Sequence, residues 1–115
     1  MRAAIRCLVV ALALVVLAPA VGAHERGGSQ RVATQVVRVR VIDFAFRPRN
    51  LTIDSGTVVR WVNRGDRPHT TTSNTNLWNH TLAPGETFSR RFRRTGTFAY
   101  HCSIHTQMTG TITVT

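Results

Sequence analysis

The chain has 115 residues, with 15 basic side chains against 5 acidic ones and a net charge of +10 at pH 7. That length bounds it to one domain with one small core. Every basic residue is arginine, and no basic helix or RNA-binding motif accompanies the charge, so nucleic acid is excluded as the expected partner in favour of an acidic one.

The N-terminal stretch is set apart from that domain. Arg2 and Arg6 precede an uninterrupted apolar run, Cys7 to Ala18, and Val21-Gly22-Ala23 supplies small residues for a cleavage site. This order predicts a secretory signal over residues 1–23, with export to the periplasm or beyond the cell. The apolar run is shorter than the roughly 20 residues a spanning helix needs, so no stable membrane insertion is expected after cleavage. Loss of Arg2 and Arg6 takes the net charge from +10 to +8. Loss of Cys7 leaves Cys102 as the remaining cysteine, which rules out an internal disulfide and favours a committed metal ligand. Residues 24–34, polar and containing Gly27-Gly28, read as a flexible tether. The folded domain is expected over 35–115.

From Gln35 the pattern is that of strands. Val37, Val39 and Val41 alternate with Arg38 and Arg40, which predicts a strand with one buried face. Phe44 and Phe46 form a short apolar element after Asp43, ended by Pro48 and Asn50. Leu51-Thr52-Ile53 is another, closed by the turn Asp54-Ser55-Gly56. Thr57 to Asn63 is apolar on both faces, as a central strand requires, and Gly65 and Pro68 bracket a loop before a β segment opening at His69. Ser73 to Thr81 reads as a polar loop interrupted by Leu77-Trp78, and Ala83-Pro84-Gly85-Glu86 as a turn. Arg90 falls on the same nominal face as Phe88 and Phe92, so that strand either bulges or lies at an edge. Phe98, Tyr100 and Cys102 share a face, and Ile112 and Val114 point inward on the last strand. Seven or eight short strands without a helix predict an all-β sandwich or barrel.

The chemistry is concentrated in Cys102-Ser103-Ile104-His105-Thr106-Gln107-Met108, which reads C-x2-H-x2-M. Two His and one Cys in a trigonal arrangement with a weak axial Met is the donor set of a type 1 copper site. The cluster lacks one His. His69, after Arg67-Pro68 and on a different strand, is the candidate. Zinc sites draw on Cys, His and carboxylates, so Met108 favours copper over zinc. His101 adjoins Cys102 but faces the other way on a strand, with His80 as a speculative partner in a second site. His24 would become the new N-terminus.

The sequence resembles the cupredoxins, in particular the bacterial plastocyanin/amicyanin-like group. The resemblance rests on Asp43-Phe44-Ala45-Phe46-Arg47-Pro48, Gly56 to Asn63, Pro68-His69-Thr70, Leu82 to Ser89 and Gly96 to His105. It implies a Greek-key β-sandwich holding one mononuclear copper per chain, with His69, Cys102, His105 and axial Met108 as ligands. It also implies that His105 lies nearest the surface. The His-to-Met spacing is similar to the short amicyanin loop. Amicyanin-like loops often carry prolines where this chain has Ile104 and Thr106, and Thr70 stands where the plastocyanin type has Asn. The Thr70 hydroxyl is expected to tie the two ligand loops together. Three uses of such a site follow: an electron carrier docking an acidic redox partner through Arg64 and Arg67, a copper store or courier or sensor, or a small enzyme with a second copper. The first, a monomeric carrier rather than an enzyme, is the expected one.

Overall fold

The computed structural model describes residues 33–115 together with 13, 15 and 16. The expected signal peptide, apart from those three positions, and all but the last two residues of the expected tether lie outside the described residues. Within them there are nine strands and no helix: β1 (Val36–Ile42), β2 (Ala45–Arg47), β3 (Asn50–Ile53), β4 (Thr57–Asn63), β5 (His69–Ser73), β6 (Asn79–Leu82), β7 (Thr87–Phe92), β8 (Gly96–His101) and β9 (Thr109–Val114). They form two sheets, ordered β2-β1-β4-β7 and β3-β9-β8-β5-β6. This is the two-sheet β-sandwich expected from the sequence. Parallel pairs, β1 with β4 and β3 with β9, sit inside otherwise antiparallel sheets.

Period-two alternation places Val39, Val41, Val59 and Trp61 inward from the first sheet, and Tyr100, Ile112 and Val114 inward from the second. Trp61 is fully buried at the centre of this core. Its ring lies 5.5 Å from Tyr100, 5.8 Å from Trp78 and 5.9 Å from Phe88, centroid to centroid. Burial pushes the Tyr100 phenol up to about 12. Tyr100 faces Gly110 across β8 and β9, and a Cβ at Gly110 would run into the phenol ring.

Arg90 is explained by the edge. The β4–β7 register runs unbroken from Thr57↔Phe92 to Val62↔Thr87, so no bulge intervenes, and β7 ends its sheet. Arg90 points inward, lays its guanidinium over Trp78 at 5.1 Å and Phe92 at 5.4 Å, and donates to Leu77 O.

The expected polar loop from Ser73 to Thr81 is shorter than its composition implies. Asn79–Leu82 is an edge strand, antiparallel to β5. His80 and Leu82 turn inward, but only Leu82 is apolar, so the sequence shows no apolar alternation by which to read the strand. Counted with the short β2, it raises the strand number to nine.

Candidate metal centre

Three loops converge at one end of the sandwich. The first is the Asp43-Phe44 turn between β1 and β2, where Phe44 takes φ +75°, a left-handed conformation that L side chains rarely adopt. The second, residues 64–68, leads from β4 into His69. It is held from inside by buried Asn63, whose Nδ2 donates to Arg67 O and Leu82 O, each at 2.9 Å, and whose Oδ1 accepts from Gly65 N at 2.9 Å. From outside it is held by Asp43, which accepts from Asp66 N at 3.0 Å and Arg67 N at 3.3 Å. A side chain at Gly65 would collide with the Asp43 carboxylate. The third loop, between β8 and β9, is closed by Cys102 N donating to Met108 O at 3.0 Å and Met108 N to His105 O at 2.9 Å.

These loops bring His69, Cys102 and His105 together. His69 Nδ1 lies 3.1 Å from His105 Nδ1, and Cys102 Sγ lies 4.0 Å and 3.8 Å from those two nitrogens. A trigonal ion with bonds of about 2.0–2.1 Å to nitrogen and about 2.3 Å to sulfur spans edges of about 3.5 and 3.8 Å, so the triangle has the size to hold one. His69 and Cys102 are fully buried, Met108 is buried beside them, and His105 is half-buried. Among the described residues this is the one cluster of three His, Cys or acidic side chains fit to hold a metal.

The polar surroundings fix each donor. His69 Nε2 donates to Asp43 Oδ1 at 2.8 Å, which leaves the Nδ1 lone pair facing Cys102 and His105. That bond, followed by those from Asp66 and Arg67 N–H, holds the Asp43 carboxyl below its ordinary range. Cys102 Sγ accepts from Thr70 N at 3.3 Å and His105 N at 3.4 Å, which holds the sulfur in place from both ligand loops. Thr70 Oγ1 accepts from Ser103 N at 2.7 Å and thereby links the His69 strand to the Cys102 loop.

A family model described as a cupredoxin-like domain matches residues 7–114. The chain belongs to the cupredoxin family. Plastocyanin from Scenedesmus fuscus is 36% identical over 83 residues, covering 60% of this cupredoxin and 85% of the plastocyanin. A purple cupredoxin from Nitrosopumilus maritimus superposes with a TM-score of 0.64 at 29% identity, over 68% of this chain and 98% of that one. An amicyanin variant in its reduced state gives 0.66 at 26% identity, over 73% and 86%. In this cupredoxin His69, Cys102, His105 and Met108 are arranged as a type 1 copper site.

Several residues around the site were not assigned roles from the sequence. Asp43 reaches His69 across 26 positions, and Asn63 and Ser103 complete the frame. The Phe44 ring stands edge-on to His105 at 5.1 Å and is 58% exposed. No local pattern marks these residues; the chain fold alone brings them in. Arg67 sits in the loop tied to Asp43, whereas Arg64 turns toward the outer face of the first sheet. The pairing of His101 with His80 does not form. The register sets His101 opposite Thr72 and His80 opposite Thr71, on opposite faces of the second sheet. His101 Nδ1 bonds Asn74 Oδ1, and His80 stacks on Phe88.

Proposed function

We propose that this cupredoxin is an exported, monomeric one-electron carrier, in which His69, Cys102, His105 and Met108 would hold one copper. The observation that carries the reading is the closed Nδ1–Nδ1–Sγ triangle beside a buried thioether. Copper there supplies a Cu(II)/Cu(I) couple. The chain's part is to hold the donors still. Asp43 fixes the His69 ring, two N–H groups polarise the Cys102 sulfur, and the backbone bonds across Cys102–Met108 keep the third loop shut. Rigidity of this kind keeps the donors in place whichever oxidation state they meet. It also favours retention of the metal over its delivery to another protein.

His105 is the proposed exit for the electron, because it alone of the three trigonal donors reaches toward the surface. Exposed Phe44 and Ile104 lie close to it in space and in sequence respectively, and provide an apolar contact for a partner. Arg67, with Arg64 further round, is proposed to steer an acidic redox protein to that end. Copper analysis tests the carrier against an enzyme with a second site: one copper per chain is expected, and two would favour the enzyme. Reduction of the copper-loaded protein followed by single-turnover oxidation by a second redox protein should be rapid and reversible. Loss of copper to a competing apo-protein faster than electron exchange would instead indicate a courier.

A further inference from the structure

The first sheet has two faces of opposite character. The inner face carries the valines and Trp61 of the core. The outer face carries arginine on three adjacent strands: Arg47 on β2, Arg38 and Arg40 on β1, and Arg60 on β4. The register opposes like charges twice, Arg40 against Arg47 and Arg38 against Arg60. Such pairs destabilise a sheet unless something neutralises them. Arg60 turns its Nε to Ser89 Oγ at 3.1 Å. Arg38, Arg40 and Arg47, joined by Arg64 just past β4, instead surround one groove of about 460 Å³ with Pro48 and Val62. All four arginines are exposed, and among the described residues no carboxylate lines the groove.

Guanidinium groups are charged at every accessible pH and present planar, two-pronged donors to oxyanions. Strand geometry spaces these side chains about 5 Å across neighbouring strands and about 7 Å along one strand. Four positive charges around a space this small call for a ligand with dense negative charge. Phosphate groups carry between one and two charges each with three or more acceptor oxygens, and meet that demand better than isolated carboxylates. We propose that this groove binds a compact, soluble oligophosphate at a site separate from the metal centre. Binding would screen the Arg40–Arg47 repulsion and so stabilise the fold, whether or not the copper reading holds.

The test uses the copper-loaded protein and sodium tripolyphosphate, with sodium chloride at matched ionic strength as the control. The expected result is a saturable rise in thermal midpoint on the order of 5 °C with tripolyphosphate only, and an unchanged visible copper spectrum. In the reduced protein, amide NMR shifts should map to β1, β2 and the start of the 64–68 loop. Arg40→Gln combined with Arg47→Gln should abolish the rise while leaving the anion-free midpoint at or above that of the parent. Should that pair fail to fold, Arg38→Gln with Arg64→Gln asks the same question, with tripolyphosphate affinity expected to fall about tenfold or more. An equal rise with chloride, an undiminished rise in the variants that fold, or binding to anionic phosphatidylserine vesicles but not to tripolyphosphate would each overturn the proposal.

Discussion

At the scale of single residues, Asp43 connects most of what matters at the site. One carboxylate accepts hydrogen bonds from His69 Nε2–H and from the N–H groups of Asp66 and Arg67, so it orients a donor and braces the loop that delivers it. Partners of this kind around a metal ligand are typically worth about 10–100-fold in metal affinity. Asp43→Ala should therefore weaken copper binding by about that factor in competition with a chelator, and unchanged affinity would remove Asp43 from the account. Tyr100 gives a separate test of the core. Its phenol ionises at about 12 in the fold against an ordinary value of 10.0. The folded state thus holds its proton after the unfolded chain has lost it. Stability is intact below pH 10 and is lost as pH rises toward 12, by on the order of 2–3 kcal/mol. Urea unfolding between pH 9 and 12 should show that decline, and Tyr100→Phe should flatten it.

At the scale of elements, the β8–loop–β9 unit carries three of the four proposed ligands, and its geometry depends on Tyr100 lying over Gly110. Gly110→Ala puts a methyl group into that ring. It should cost about 1–3 kcal/mol in urea unfolding, and a neutral result would mean that β9 shifts freely. The legibility of the sequence differs sharply between elements. Cys102, His105 and Met108 could be read together because one short loop holds them. The β1 and β4 strands were legible because burial imposes alternation in one and apolar residues on both faces in the other. The β6 strand was not, since an exposed edge leaves Asn79, His80 and Thr81 free to be polar. The site's frame was harder still. Asp43 meets His69 through contacts between loops that have no periodicity, and the positive φ of Phe44 has no glycine to announce it.

At the scale of the whole molecule, the charge is distributed with a pattern. The inner faces of the sheets are apolar but for Arg90 at the edge, Thr57 and Asn63 at the ends of β4, and polar residues of β5 and β6, while arginine collects on the outer face of the first sheet and around the loop before His69. If an acidic redox protein docks at that end, its association rate should fall by about tenfold or more between about 0.01 and 1 M salt, as the screening length shrinks from about 30 to about 3 Å. A rate insensitive to salt contradicts that steering. The centre itself is assembled from two sheets and three loops, so it belongs to the folded chain and not to the C-terminal motif alone. The most direct measurement is therefore Cu(II) titration of the folded protein, followed by visible absorption. An intense thiolate-to-copper band that saturates at one copper per chain, and is abolished by Cys102→Ser, is the expected result. A colourless complex, or a preference for Zn(II) over copper, would contradict the assignment.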